Sequence, residues 1–302
     1  MTLETTLCGV RLQNPVLAAS GTFGYGVEFA RQVDLNQLGG FVVKGLSREP
    51  IEGNPAPRLY ETRGGMLNSI GLQNIGVHAF VKEKLPALAQ LRAAVLANVF
   101  GYQPSDYAEV VRVLEDHPGL AAYELNVSCP NTKHGGIYFS SDPALLAEVV
   151  SAVKTIARRP VVVKLSPNVA AIEPLARAAA DAGADAISLV STFIALAIDA
   201  RTRRPRLGAG FGGLSGPAIK PIALRLVYQA AQAVKIPIVG LGGIATGEDA
   251  AEFLIAGATA VQVGTANFWD PASPLRVARE LAAFCRREKI ASVQSLVGTL
   301  KL

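Results

Sequence analysis

Ala182-Gly183-Ala184-Asp185-Ala186-Ile187 and Ala256-Gly257-Ala258-Thr259-Ala260-Val261 are two copies of one pattern. In each, an alanine-rich amphipathic run stops, a glycine follows, and an apolar run begins. Glycine just past a helix can take the left-handed conformation that ends it. Each hexapeptide is therefore a joint from helix to strand, and the chain repeats a strand–helix unit.

Working outward, eight short apolar runs recur: Pro15–Ala19, Gly40–Val43, Ala93–Ala97, Ala121–Leu125, Pro160–Val163, Ala184–Val190, Ile236–Leu241 and Thr259–Val263. They show little polar alternation, as strands buried on both faces do. Helical patterns lie between them: Val27–Leu35, His78–Arg92, Ser105–His117, Asp142–Arg158, Ala171–Ala182, Pro217–Val234, Gly247–Ala256 and Pro274–Glu288. Ser105 and Asp142 are N-cap residue types, and Pro143 suits a first helical position. Eight such units predict an α/β fold, a (β/α)8 barrel, as a single domain over residues 1–302.

Composition narrows the classes. The chain has 302 residues, half of them hydrophobic and 18% charged, enough for a large core and too apolar for disorder. Its three cysteines, Cys8, Cys129 and Cys285, are far apart. That argues against a disulfide framework or a Cys-rich metal site and for a reducing compartment. An iron–sulfur cluster needs about four Cys ligands, so this chain alone cannot supply one. His78, His117 and His134 show no metal spacing, and no metal is expected. The net charge is +5. The densest basic run, Arg201, Arg203, Arg204 and Arg206, has no interleaved aromatics, so nucleic-acid binding is weakly supported; an anionic small molecule or an acidic protein fits equally well. No secretory leader pattern opens the chain, and no apolar run approaches the ~18–20 residues of a membrane span. The expectation is a soluble, cytoplasmic protein.

In a barrel of this kind the site lies at the C-terminal strand ends. Ser20, Lys44, Asn98, Asn126, Lys164, Ser191, Thr192, Gly242, Gly243, Gly264 and Thr265 all fall there. Gly240-Leu241-Gly242-Gly243-Ile244-Ala245 has the form G-x-G-x-x-A, but no acidic residue follows at the next strand end, so a dinucleotide site is rejected. Backbone N–H groups holding one phosphate, joined by Gly264-Thr265, fit better. Two lysines at one mouth suit an anion or a developing negative charge. Asn68, Asn98 and Asn126 offer donors and acceptors to a flat heterocycle. Two long connections, Leu46–Val77 and Phe193–Gly216, are candidate lids or substrate walls. Cys129 heads a turning loop, Ser128-Cys129-Pro130-Asn131-Thr132-Lys133-His134-Gly135-Gly136, just past the fourth apolar run, where reactive groups concentrate.

These segments resemble the dihydroorotate dehydrogenases, FMN enzymes of pyrimidine synthesis, over nearly the whole chain. The resemblance rests on Asn14-Pro15-Val16 leading to Ala19-Ser20-Gly21-Thr22-Phe23-Gly24, on Asn68-Ser69-Ile70-Gly71-Leu72-Gln73-Asn74, on the Cys129 loop, on Gly212-Gly213-Leu214-Ser215-Gly216-Pro217 and on the Gly242-Gly243-Ile244 turn. Cys rather than Ser at 129 resembles class 1, and Lys133-His134-Gly135-Gly136 resembles class 1B. That subclass pairs its FMN subunit with a subunit carrying FAD and an iron–sulfur cluster, in a heterotetramer built on a homodimer, and passes electrons to NAD.

The resemblance implies FMN contacts at Ser20, Lys44, Gly45, Asn98, Asn126, Lys164, Val190, Gly216, Gly242, Gly243, Gly264 and Thr265. It implies dihydroorotate contacts at Lys44, Asn68, Ser69, Ile70, Gly71, Leu72, Asn126, Ser191 and Thr192. Ser191 stands where the family usually has Asn. Cys129 would remove the C5 proton as thiolate while a hydride leaves C6 for the flavin. The competing readings are a fumarate-using class 1A homodimer, a dihydropyrimidine dehydrogenase-like enzyme, and a non-catalytic flavin-binding barrel.

Overall fold

Eight parallel strands close into a barrel in chain order: β1 (Val16–Ala18), β2 (Gly40–Val42), β3 (Ala94–Val99), β4 (Ala122–Asn126), β5 (Val161–Lys164), β6 (Ala186–Leu189), β7 (Ile238–Leu241) and β8 (Ala260–Val263). Closure comes from β8 pairing with β1, Val261 opposite Val16 and Val263 opposite Ala18. The structure, a computed structural model, is described over residues 1–127 and 137–302. The eight apolar runs thus become the eight barrel strands, each within a few residues of its expected bounds.

Two apolar layers follow from the strand period of two. Outward side chains such as Tyr123, Leu125, Val161, Val163 and Ile187 pack under the helices. Inward side chains Leu17, Val42, Leu96, Ala122, Val162, Ala186, Val239 and Ala260 fill the barrel's lower interior. Each Leu or Val buried there contributes roughly 1.5–3 kcal/mol. A hairpin, Thr5–Leu7 with Val10–Leu12, plugs the bottom and adds Leu7 and Leu12 to the same layer. Its two-residue turn holds Cys8 at φ 50° and Gly9 at φ 81°, the pair of positive values a type I′ turn requires.

The helices differ in detail from the sequence patterns. Val27–Leu35 is not a helix but two separate 3-10 turns, Val27–Phe29 and Leu35–Gln37. The Asp34 side chain accepts from the Asn36 N–H and starts the second turn, which ends any continuous helix. The His78–Arg92 pattern breaks into Val77–Glu83 and Leu85–Leu88, because Pro86 has no N–H to continue the ladder. Ser105 is not an N-cap. The helix starts at Pro104, and the Asp106 carboxylate reaches back to the N–H groups of Tyr102 and Gln103. Asp142 does cap, accepting from Ala144 and Leu145. Gly183 and Gly257, at φ 97° and 119°, end their helices as expected.

The two long connections meet. Leu59–Thr62 and Gly65–Asn68 from the first, with Phe193–Leu196 and Phe211–Ser215 from the second, form one four-stranded antiparallel sheet. A Cβ at Gly213 would sit 2.0 Å from Thr192 Oγ1, so only glycine lets this sheet lie against the end of β6. No described helix is long and apolar enough to cross a membrane.

Candidate active site

The inward side chains change character one step above the apolar layer. On β4, Ala122 faces the dry interior, Glu124 comes next on the same face, and Asn126 follows at the mouth. On β3, β5, β6 and β8 the corresponding steps bring in Asn98, Lys164, Ser188 and Gln262. These residues form one network around Glu124, whose side chain is fully buried. Its Oε1 accepts from Asn98 Nδ2 at 2.8 Å and from Ser20 Oγ at 3.3 Å, and pairs with Lys164 Nζ at 3.5 Å. Its Oε2 accepts from Gln262 Nε2 at 2.7 Å and Ser188 Oγ at 3.0 Å. Burial pushes the Glu124 carboxyl up, but the Lys164 ammonium and the Gln262, Asn98 and Ser188 donors outweigh it and hold the group below its ordinary value.

Above this floor opens a cleft with about 1240 Å³ of empty space, counting its solvent-facing mouth. Every residue the resemblance assigned to FMN lines it: Ser20, Lys44, Gly45, Asn98, Asn126, Lys164, Val190, Gly216, Gly242, Gly243, Gly264 and Thr265. Of the residues assigned to dihydroorotate, Lys44, Asn68, Ile70, Gly71, Leu72, Asn126, Ser191 and Thr192 also line it. Ser69 does not. Its side chain is buried away from the cleft, its N–H donates to Arg58 O, and its carbonyl accepts from Asn54 Nδ2. Ser69 thus takes part in the hydrogen bonding that shapes the loop carrying Ile70, Gly71 and Leu72. Cys129 and the rest of residues 128–136 lie outside the described residues.

Sequence reasoning missed two sets of residues. Leu59, Met66, Ile219, Leu241 and Phe268 add apolar wall, and Ala19, Gly21, Thr22, Gln73 and Ser215 complete the rim. Beneath, Glu124, Ser188 and Gln262 went unread, although each is a polar residue inside an apolar run, in phase with an inward neighbour.

Charge in the cleft is unbalanced. Lys44 forms no ion pair among the described residues, although it is mostly enclosed. Burial, then the nearby Arg58 cation, lowers its pKa from the usual lysine value. At the ends of β7 and β8, the backbone N–H groups of Gly242, Gly243 and Gly264 have no acceptor among the described residues. The turns are packed tightly: a Cβ on Gly243, at φ 84°, would lie 2.8 Å from Lys220 Cβ and 2.9 Å from Gly216 O. Thr265 Oγ1 donates to Ser215 Oγ at 2.7 Å, tying the turn to the overlying sheet. A phosphate needs such a set of free backbone donors, and a flat polar ring needs the Asn98, Asn126 and Lys164 groups beside apolar walls. The donor set therefore fits FMN.

The described thiols do not compete for a catalytic role. Cys8 sits at the barrel bottom, where its Sγ donates to Asp185 O at 3.0 Å. Burial, then the Asp185 carboxylate, pushes it up to about 12. Cys285 is buried in the helix Ser273–Arg287, and burial raises it as well. Neither is thiolate at neutral pH. No cluster of three or more metal-ligating side chains occurs among the described residues.

Comparison with known proteins shows the family. A family model described as dihydroorotate dehydrogenase matches residues 2–285. A Solibacter usitatus protein, provisionally named dihydroorotate dehydrogenase A (fumarate), is 76% identical over 299 residues, covering 99% of this chain and 98% of its own. Proteins named dihydroorotate dehydrogenase B (NAD(+)), catalytic subunit, are 53% identical in Geobacter sulfurreducens and 52% in Citrifermentans bemidjiense, over 300 residues with the same coverage. The crystal structure of an Eimeria tenella DHODH in complex with ferulenol superposes with a TM-score of 0.82 at 21% identity, over 98% of this chain and 88% of that one, and shares its fold. The chain belongs to the dihydroorotate dehydrogenase family.

Proposed function

We propose that this chain is the FMN-bearing catalytic subunit of a class 1B enzyme that oxidises dihydroorotate to orotate in pyrimidine biosynthesis. The observation that carries the reading is the cleft itself. It brings together two ammonium groups, Lys44, which has no carboxylate partner among the described residues, and Lys164, which is paired with Glu124 beneath, and the backbone N–H groups of Gly242, Gly243 and Gly264, which have no acceptor among the described residues. That arrangement suits a phosphate at one end and an anionic, flat substrate at the other.

Bound FMN supplies the two-electron acceptor for a C–H oxidation. The chain's residues do the rest. Backbone donors of Gly242, Gly243, Gly264 and Thr265, with Gly216, hold the phosphate. Ser20, Gly45, Asn98, Asn126 and Val190 seat the ring, and Lys164 opposes negative charge that develops on it. Lys44 and the backbone of Ile70, Gly71 and Leu72 receive the substrate carboxylate. Asn68 and Asn126 read the pyrimidine edge, with Ser191 and Thr192 beside it. Cys129 accepts the C5 proton as thiolate. An unperturbed thiol titrates at ~8.5, so only a small fraction is thiolate at neutral pH, and a cation beside it would raise that fraction.

Electrons leave through a partner subunit carrying FAD and an iron–sulfur cluster, to NAD in the cytoplasm, within a heterotetramer built on a homodimer. An apolar stripe supports such an assembly: Ile194, Leu196 and Ile198 alternate outward beside Phe211, all exposed. The 76% relative favours a second reading, a homodimer reducing fumarate. Acceptors decide between them. The purified chain with dihydroorotate should reduce fumarate slowly or not at all, and NAD only once the partner subunit is added. Rapid fumarate turnover by the chain alone would establish the second reading; turnover of dihydrouracil in preference to dihydroorotate would overturn both.

A further inference from the structure

Glu124 is the only carboxylate lining or directly underlying the cleft among the described residues, and its side chain is fully buried. Its five partners come from five different places in the barrel wall: Ser20 after β1, Asn98 on β3, Lys164 on β5, Ser188 on β6 and Gln262 on β8. Three of these partners, Ser20, Asn98 and Lys164, also line the cleft. A buried charge is retained in a core only where it is paired and hydrogen-bonded, and a whole buried ionic cluster replaced together by well-packed apolar side chains often loses no stability. Here the rest of the lower barrel is filled by apolar side chains. The carboxylate therefore has a task that Leu or Val cannot perform.

We infer that Glu124 is a positioning residue for the flavin site: it holds Ser20, Asn98 and Lys164 in the cleft floor, and its fixed negative charge sets the reduction potential of the ring above them. This rests on the FMN reading given above. Reduced flavin at this site carries extra electron density that Lys164 favours. Glu124, 3.5 Å behind Lys164 Nζ, offsets part of that cation's field. Without the carboxylate the reduced form would be held too tightly to pass its electrons on.

The geometry offers a clean variant. Gln262 Oε1 is buried and has no hydrogen-bond partner. In Glu124→Gln the Oε1 position can keep its three donors, while the new amide N–H faces Gln262. A flip of the Gln262 amide turns the orphaned Oε1 toward that N–H, and the Ser188 hydroxyl can rotate to accept. Glu124→Gln thus removes the charge and keeps the hydrogen bonds.

The test is spectroelectrochemical titration of the FMN-loaded chain at pH 6.5, beside FMN affinity and thermal melting. In Glu124→Gln the ratio of reduced to oxidised flavin at a given applied potential should rise at least tenfold, a positive shift of about 30 mV for a two-electron couple. Ser188→Ala removes one donor from the carboxylate without touching the cleft, so its charge acts less quenched. The ratio should then fall about threefold, a negative shift of ~14 mV. A merely structural Glu124 would lower the melting temperature and loosen both redox states equally, leaving the ratio within twofold of wild type in both variants; that result overturns the inference. If Glu124→Gln does not fold, Ser188→Ala decides alone, a fall supporting the inference and an unchanged ratio overturning it. A wild-type chain that binds no FMN would overturn the functional reading and the inference together, whereas normal FMN binding with unmoved potentials overturns the inference only.

Discussion

Replacing Glu124 by Leu should be among the most destabilising single changes available in this barrel. The substitution keeps the volume roughly constant and removes every acceptor at the centre of the network. Asn98, Ser188 and Gln262, each at most 1% exposed, are left with buried donors that pointed at the carboxylate. An unsatisfied buried donor costs about 1–3 kcal/mol. Lys164 also loses its counter-charge, but its ammonium borders the cleft and water can solvate it, so its share stays at the low end. With each of the three donors at about 1–2 kcal/mol the sum is roughly 3–6 kcal/mol, which overlaps the about 3–5 kcal/mol for breaking a buried pair. At about 2 °C per kcal/mol for a chain of this size, the melting temperature should drop by ~6–12 °C. The assay is a thermal melt of FMN-free protein at pH 7, repeated at falling pH. The sign of the pH effect follows from the depressed folded-state pKa. Glu124 contributes its stability fully above the unfolded value of 4.5 and loses it as pH falls through the folded value. The gap between wild type and Glu124→Leu should therefore narrow below pH 4.5. A variant that melts within about 1 °C of wild type at pH 7 would refute the claim that the network is satisfied by this carboxylate.

Three further outcomes follow from other residues. Cys129→Ser should bind FMN normally yet lose at least about a hundredfold in turnover at pH 7, with partial recovery at high pH, since a weaker acid needs more base to ionise; a pH–rate profile equal to wild type would remove Cys129 as the base. Lys44→Met should weaken orotate binding by about tenfold or more, one lost charge-assisted contact; in wild type, orotate affinity read by fluorescence titration should fall as pH rises through the lowered Lys44 pKa, somewhere below 10.5, because the anion needs the protonated form. Gly243→Ala places a methyl 2.8 Å from Lys220 Cβ at φ 84°, so the turn must shift and FMN retention through gel filtration should drop at least about tenfold.

The barrel was legible because its signal is repeated and local. Eight apolar runs, each closed by a polar residue or glycine, survive errors of a residue or two at any one boundary. The overlying sheet was not legible. Its strands, such as Gly65–Asn68 and Phe211–Ser215, are short, rich in glycine and paired across about 145 residues of chain, with no alternation to mark them. The cleft residues were found because they end strands or match a family motif. Glu124, Ser188 and Gln262 were passed over because a strand buried on both faces was read as uniformly apolar. Counting two residues back from Asn126 would have put Glu124 on the same inward face. An acid in that position, inside a dry barrel, is itself a signal.

The central claim, that the cleft holds a flavin which dihydroorotate reduces, has one direct test. The purified, FMN-loaded chain is mixed with dihydroorotate without oxygen while flavin absorbance is followed. The account predicts rapid bleaching of the oxidised-flavin absorbance with stoichiometric orotate, and no bleaching with dihydrouracil. Flavin that stays oxidised in the presence of excess dihydroorotate would contradict it.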